Sequence, residues 1–306
     1  MPEIQVVVPV HNGADQLDRI LEALLAQRLP QQWRSRIYVV DDGSTDGTLV
    51  VARGFAEAGI HLLVNPSPLG RACTRNRGAA RSNSQLLAFI DVDCVPVDER
   101  WLERHIAALE AGADLTGGPI EPSGGGFWAA YMVEVAARRE LAAGAGDFQA
   151  LTSANLAFRR DCWNLLRGFD ERYLQYGFED RDLLARAVEL GVRIVFVPEA
   201  VVATPPPRTV AELVRKNEVA GRYSAPLFRE RHPAIYRRTP FRMFDAQVGP
   251  LAGLHVAGPL GSLARPVAAL AERLTNVAWL PRRFRLGVVR LALGLAFFRG
   301  TTLPAD

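Results

Sequence analysis

The chain reads as an α/β fold in which a mostly parallel central sheet is covered by helices, followed by a helical C-terminal extension. Short, near-continuous runs of β-branched and apolar residues alternate with segments of helical periodicity, the pattern of strands buried on both faces. Gln5 to Val10 is the first such run, and Leu17, Ile20, Leu21, Leu24 and Leu25 follow at the i, i+3, i+4, i+7, i+8 spacing of an amphipathic helix. Ile37 to Val40 forms a second strand and passes through the turn Asp41–Thr48 into a helix of roughly a dozen residues. Ile60 to Val64 and Leu86 to Ile90 supply two more strands, separated by a helix over 71–81. Beyond Pro96 the pattern predicts a helix over 100–111, a strand over 114–120 and a flexible joint at 122–126, rich in glycine and able to move over a ligand. A strand over 152–158, a helix over 179–190 closed by Gly191, and a strand over 193–197 follow, before Pro205-Pro206-Pro207 marks a break.

Charge is distributed unevenly. Residues 1–204 carry 20 Arg against 27 Asp and Glu, whereas residues 205–306 carry 16 Arg and Lys against 6 acids, so the C-terminal region invites an anionic partner. The near-total preference for Arg reads first as a GC-rich genome. Cys73, Cys94 and Cys162 lie far apart without CxxC spacing, which speaks against a disulfide framework or a zinc site. The chain starts directly in a strand pattern, and no stretch reaches the roughly 18 apolar residues of a membrane span. The expected location is cytoplasmic, including the inner face of the plasma membrane.

In parallel α/β sheets ligands bind beyond the carboxyl ends of the strands. Val10-His11-Asn12, Asp41-Asp42 and Asp91-Val92-Asp93 all fall at such ends, so three loops converge on one crevice. Residues two apart in an extended segment point to the same side, so Asp91 and Asp93 can face one site while Val92 turns to the core. Hard carboxylate oxygens suit Mg²⁺ or Mn²⁺ shared with substrate phosphates. Taken alone, the pair reads equally well as a solvated turn. Asp41 can accept a hydrogen bond from a base imide or a ribose hydroxyl, although Asp, Gly and Ser are also ordinary turn residues. The helix Gly70–Gly78 carries several Arg, either a solvated face or a phosphate contact. Glu179-Asp180 at a helix start reads either as a cap favoured by the dipole or as a base for a hydroxyl acceptor. Tyr173, Tyr176 and Phe178 beside it suit a sugar-facing pocket or plain packing.

Together these segments carry a resemblance. VVVPVHN (6–12), VVDDGSTDGT (39–48), TRNRGA (74–79), FIDVDC (89–94), SANLAFRR (153–160), GFDE (168–171) and GFEDRDLLARA (177–187) resemble, in order and spacing, the family 2 glycosyltransferases of GT-A fold, whose central sheet is Rossmann-like. The likeness spans residues 4–204. It implies an inverting transfer from a nucleotide-diphospho-sugar donor to a hydroxyl of a saccharide or lipid-linked saccharide, as in cell-surface or exopolysaccharide assembly, with Mn²⁺ or Mg²⁺ as cofactor. Pro9, His11 and Asp41 would lie by base and ribose, with Asn12, Asp42 and Arg75 completing the nucleotide site. Asp91 and Asp93 would contact ribose and metal, Asp93 being the first choice for direct ligand. Asp180 matches the general base, and Glu179 would position the acceptor. His11 stands where the family often has an aromatic. The resemblance also divides the chain into a donor-binding half (1–96), an acceptor-binding half (97–204) and a basic helical region (205–306).

There is one departure. Many members carry a metal-binding His after the strand corresponding to 197–202, and here Ala203-Thr204 stands in that place, so the metal would rest on Asp93, the diphosphate and water. His105, His232 and His255 do not fit that motif and read as ordinary core or surface histidines.

Residues 282–299 combine an Arg cluster with Leu286, Val289, Leu293 and Phe297, which suits either a peripheral helix at the membrane interface or a terminal helix packed on the protein. The rivals are a polyprenyl-phosphate glycosyltransferase, whose anionic acceptor needs no base, and a non-catalytic nucleotide-sugar-binding protein. The turn after the first strand resembles neither a pyrophosphorylase loop nor GxGxxG, which argues against a nucleotidyltransferase and a dehydrogenase. No motif supports nucleic-acid binding, and none is expected.

Overall fold

The computed structural model describes residues 1–250, 252 and 257–304. The chain forms two compact units. The first comprises Met1–Gly124, Met132–Leu174 and Leu183–Pro205; the second comprises Gly125–Tyr131, Gln175–Asp182 and Pro206–Asp306.

The first unit opens with β1 (Glu3–Val10), α1 (Ala14–Leu25), β2 (Arg34–Asp41), α2 (Thr48–Gly54), β3 (His61–Val64), α3 (Arg71–Ala79) and β4 (Leu86–Ile90). It continues through β5 (Val95–Pro96), α4 (Trp101–Glu110), β6 (Leu115–Gly117), β7 (Ile120–Pro122), α5 (Phe127–Gly144), β8 (Asn155–Arg159), α6 (Arg160–Leu166), α7 (Glu179–Glu189), β9 (Ile194–Phe196) and β10 (Val202–Thr204). The first residues of α5 and α7 belong to the second unit. Seven strands make one sheet in the order β3-β2-β1-β4-β8-β6-β9, parallel throughout except that β8 runs against both neighbours. A small sheet, β5-β10-β7, stands apart from it.

The apolar runs are continuous because each strand feeds two cores. Ile4, Val6, Val8 and Val10 of β1 and Leu86, Ala88 and Ile90 of β4 join Leu17, Leu21, Trp101 and Ile106 on one face. Val7, Leu87 and Phe89 point the other way, against Ala72, Trp163, Leu166 and Leu183. The strand period of two therefore sorts consecutive apolar residues between opposite faces. Gly78 lets α3 lie on the sheet: a Cβ there would stand 2.4 Å from Val7 Cγ1 and 2.9 Å from Val40 Cγ2. The buried Gln5 ties the same place, donating to the Gly78 carbonyl and accepting from Arg160 Nη2, both at 2.7 Å.

Four expectations change. The strand expected over 197–202 is not formed: residues 198–199 make a turn at Pro198, and β10 begins only at Val202. The single strand over 114–120 is two, because a Cβ at Gly118 would meet the Ala200 carbonyl and Pro119 offers no N–H to continue the ladder; β6 joins the large sheet and β7 the small one. The dozen-residue helix after Thr48 ends at Gly54 and gives way to a 3₁₀ turn, Ala56–Ala58. Helices α5 and α6 were not marked by the sequence pattern. In α5 the apolar stripe is weak and a glycine-rich run precedes it, while α6 is only seven residues long.

The second unit is helical among its described residues. It contains α8 (Val210–Val219), a π-helical turn Ala220–Ser224, α9 (Ala225–Arg231), α10 (Pro233–Tyr236), a 3₁₀ segment Pro240–Phe244, α11 (Ala257–Ser262), α12 (Ala264–Thr275) and α13 (Arg282–Thr302). Val210, Ala271, Val289 and Ala292 form its core. Backbones touch where side chains are absent: a Cβ at Gly300 would stand 2.2 Å from the Glu218 carbonyl, and one at Gly221 2.5 Å from that of Phe297. Leu286, Val289 and Phe297 are buried and Leu293 half-buried, so the apolar stripe of 282–299 packs inside this unit. Among the described residues no helix is long and apolar enough to cross a membrane. His255 lies outside the described residues.

Candidate active site

The strand ends of β1, β2 and β4 and the start of α3 enclose a cavity of about 220 Å³, walled by Pro9, His11, Asp42, Arg75, Asp91 and Asp93 among others. Six of the residues singled out in the sequence thus meet there. Asp91 and Asp93 both face it, but their surroundings differ. Arg75, 1% exposed, donates from Nη2 to Asp91 Oδ1 at 2.7 Å and lies over the Phe169 ring. Burial alone would raise Asp91; the charges of Arg75 and Arg71 and the Arg75 hydrogen bond outweigh it and hold this carboxyl below its ordinary value. Asp93 moves the opposite way. Burial and the neighbouring Asp91 charge push it up, against a weaker pull from the Cys94 thiol, which donates to Oδ1 at 3.5 Å, and from Arg71. Asp93 is therefore the carboxylate of the two that gains more from an added cation.

A second cavity of about 120 Å³ shares Gln16, Val92 and Asp93 with the first and is lined further by Arg19, Ser123 and Ala203. Ala203, the position that departs from the family pattern, thus lies on the same small cavity as Asp93.

The remaining nucleotide-site residues divide into wall and brace. Asp41 is fully buried; its Oδ2 accepts from the Ser44 N–H at 3.1 Å, while Oδ1 is buried with no partner. A buried carboxylate oxygen without a donor is costly, and a ligand N–H or O–H would satisfy it. Asp42 reaches the cavity wall, yet its carboxylate is engaged by the next loop, accepting from Asn65 Nδ2 at 2.7 Å and from the Leu69 and Gly70 N–H groups at 2.8 and 3.0 Å. His11 donates from Nδ1 to the Asp42 carbonyl at 2.8 Å, which leaves Nε2 as the acceptor nitrogen, turned to the Asn12 amide. Asn12 itself is a clasp in the left-handed region (φ 52): its N–H donates to Ser44 Oγ and its Oδ1 accepts from the Thr45 N–H, both at 2.8 Å.

Glu179 and Asp180 belong to the second unit, at the first turn of α7, where the helix dipole favours carboxylates. Glu179 is 4% exposed, whereas Asp180 is half-buried, so Asp180 is the carboxylate open to a substrate. The turn before them is strained. Phe178 adopts φ 69, unusual for an aromatic residue, and is held there by ring contacts to Phe228 at 5.3 Å and Phe241 at 5.0 Å. Asp182, fully buried, accepts from His232 Nε2 at 3.0 Å and pairs with Arg231 at 3.3 Å, and Ser224 Oγ donates to the Tyr176 carbonyl at 3.1 Å. Tyr173 and Phe178 are buried, so of the three aromatics only Tyr176 presents an exposed ring; the others are packing groups.

Gln16, Arg71, Thr74 and the Asp182–His232 pair were not individually assigned from sequence. The first three sit in the opening turns of helices that follow strands, where α/β geometry aims residues at the carboxyl edge, and that position was the available signal. No local signal joined residues 182 and 232.

The family model described as "Glycosyl transferase family 2" matches residues 5–167, and one described as "N-terminal domain of galactosyltransferase" matches 144–206. Glycosyltransferase AglE of Haloferax volcanii is 30% identical over 235 residues, covering 72% of this chain and 73% of that protein. The pre-mycofactocin glycosyltransferase of Mycobacterium tuberculosis is 29% identical over 244 residues, or 76% of this chain, which spans only 48% of that relative. Among solved structures, the mannosyltransferase PcManGT of Pyrobaculum calidifontis, in complex with GDP-Man and Mn²⁺, aligns over 97% of this chain and 87% of its own with a TM-score of 0.61 at 19% identity. The chain belongs to glycosyltransferase family 2. Its fold is the GT-A fold, and it is a glycosyltransferase enzyme.

Proposed function

We propose that the enzyme binds a nucleotide-diphospho-sugar in the cavity at the ends of β1, β2 and β4 and transfers the sugar, with inversion, to a hydroxyl of a saccharide or lipid-linked saccharide. The observation that carries this reading is the electrostatic split between the two carboxylates of one strand end: Asp91 is satisfied by Arg75, and Asp93 is raised by burial beside a like charge. Asp93 suits Mn²⁺ or Mg²⁺ in donor chemistry, and among the described residues no cluster of three or more His, Cys, Asp or Glu stands ready for a metal. A cation held by Asp93 would therefore share the donor's own oxygens. When bound, it would offset the negative charge that gathers on the departing diphosphate. The GDP-Man and Mn²⁺ in the PcManGT complex support the same reading.

The chain's own groups supply the remainder. Asp41 Oδ1, buried without a partner, would accept from the base or ribose, and Arg71 and Arg75 would face the anionic end of the donor. Asp91, fixed by Arg75, would meet the ribose. Asp180 would take the proton of the attacking hydroxyl, and the buried Glu179 would hold the turn that presents it. This assigns residues 1–96 to the donor, 97–204 to the acceptor and the basic region beyond to a supporting role, with action at the cytoplasmic side of a membrane in cell-surface or exopolysaccharide assembly.

Asp180→Asn is the direct test. Donor binding, read as a metal-dependent thermal shift across a panel of sugar nucleotides, should persist while transfer falls by about 10²–10⁴. Retained turnover would remove Asp180 from the base role. NMR of the product anomer should show inverted configuration, and retention would overturn the single displacement.

A further inference from the structure

We infer that Gln16 supplies a further oxygen ligand, its Oε1, to the cation that Asp93 and the donor hold. The inference rests on the donor reading of that cavity and adds to it a group from α1. The two cavities at the strand ends meet along three residues, Gln16, Val92 and Asp93. Val92 is apolar, so Asp93 and Gln16 are the two oxygen-bearing side chains that line both. Their meeting follows from how α1 begins. A Cβ at Gly13 would stand 2.8 Å from Val10 Cγ2 and 3.3 Å from Val92 Cγ2, so the start of the helix lies directly on the turn that carries Asp91 and Asp93. Leu17, Ile20, Leu21 and Leu24 then face the core, and Gln16 is left at the cavity side.

The Gln16 amide is also unengaged. Its backbone N–H donates to the Gly13 carbonyl at 3.0 Å, and the polar groups around it are tied to one another: Asn12 to Ser44 and Thr45, the Gly13 N–H to Thr48 and the Ala14 N–H to Asp46. The side chain of Gln16, half-buried, makes no hydrogen bond to any described residue. A carboxamide on a cavity wall that the protein leaves without a partner is satisfied by what enters the cavity.

An amide oxygen is hard and neutral, a donor that Mg²⁺ and Mn²⁺ accept beside carboxylates and phosphates. Neutrality suits this place. Asp93 and a diphosphate already bring negative charge, so the amide adds a ligand without adding repulsion. The other side chains of the second cavity are poorer candidates: Ala203 offers only a methyl, Arg19 is itself a cation, and Ser123 does not reach the first cavity.

The test is Mn²⁺ binding followed by electron paramagnetic resonance, with UDP, GDP, dTDP or ADP as the nucleotide, on the parent, Gln16→Leu and Gln16→Glu. With the nucleotide that the parent binds, Gln16→Leu should weaken Mn²⁺ about tenfold. Gln16→Glu should hold it at least as tightly as the parent, because it keeps a hard oxygen and adds charge. Nucleotide affinity without metal should be the same in all three. Parental Mn²⁺ affinity in Gln16→Leu would overturn the inference. So would equal losses in Gln16→Leu and Gln16→Glu, since the amide nitrogen would then be the group in contact. Absence of Mn²⁺-dependent nucleotide binding in the parent itself would overturn the donor reading, and the inference with it.

Discussion

Each unit carries one pair of candidate functional carboxylates, and the two pairs are braced in different ways. Asp91 and Asp93 ride on the end of a central strand, and the groups that set their charge, Arg75, Arg71 and Cys94, come from the same strand end or from the helix just before it. Glu179 and Asp180 sit on a strained turn whose supports are Ser224, Phe228, His232 and Phe241, some fifty residues further along. The first arrangement follows from sheet geometry. The second depends on a separate helical assembly that returns to a short segment and fixes it.

The largest effect should come from the centre of the first pair. Removing the fully buried guanidinium in Arg75→Ala leaves Asp91 without its counter-ion, and breaking a buried pair costs about 3–5 kcal/mol. Because the Asp91 side chain keeps 22% exposure, the lower end applies. Urea denaturation measures it. A loss under about 1 kcal/mol would mean that water screens Asp91, and the contrast with Asp93 would dissolve.

Among the described residues each unit also buries one histidine. His105 sits in a neutral network, bonded to Asn155 Oδ1 at 3.0 Å and Thr116 Oγ1 at 2.8 Å, with Trp101 Nε1 donating to the same Asn155 oxygen. Burial lowers its pKa from 6.5 to about 4. The unfolded chain therefore binds this proton near pH 6.5 while the folded one refuses it until about pH 4. His105's contribution is whole above pH 6.5 and declines as the pH falls to about 4, by about 3 kcal/mol in all. His105→Gln should be less stable at neutral pH and should lose less than the parent across that window. Parallel stability curves would refute the neutral histidine.

His232, by contrast, faces the buried Asp182 carboxylate, two residues along α7 from the candidate base. With His232→Phe the turn should loosen while the donor cavity stays intact. Turnover should fall by roughly tenfold, about 1.4 kcal/mol in the barrier, with donor KM unchanged. A parallel loss of donor affinity would indicate general unfolding instead of local support.

The contrast explains what could be read in advance. Parallel strands and the loops at their ends have sequence periods and turn residues of their own, so β1, β2, β4 and the converging ends with His11, Asp42, Asp91 and Asp93 were legible in local windows, whereas Pro9 and Arg75 came with the family resemblance and Gln16, Arg71 and Thr74 were not singled out. The pairing of Asp182 with His232 and the packing of Phe178 against Phe228 are distant in sequence, and a single chain carries no local trace of them. Asp42 shows the limit even within the first unit. Its position at a strand end pointed to the nucleotide, but which carboxylate oxygens the 65–70 loop engages is a matter of loop geometry.

The smallest predicted effect separates two reasons for one residue. Asn12 holds a left-handed backbone and also bonds across to the β2 loop through Oδ1. Asn12→Gly keeps the backbone freely accessible and removes only the side-chain bonds, to the Thr45 N–H and to His11 Nε2, an exposed pair together worth about 1 kcal/mol. Asn12→Ala removes the bonds and adds a Cβ penalty in the left-handed region of about 1 kcal/mol more. Melting curves should therefore rank the parent above Gly and Gly above Ala. If Gly and Ala were equally destabilised, the side-chain clasp alone would account for Asn12; if Gly matched the parent, the backbone alone would.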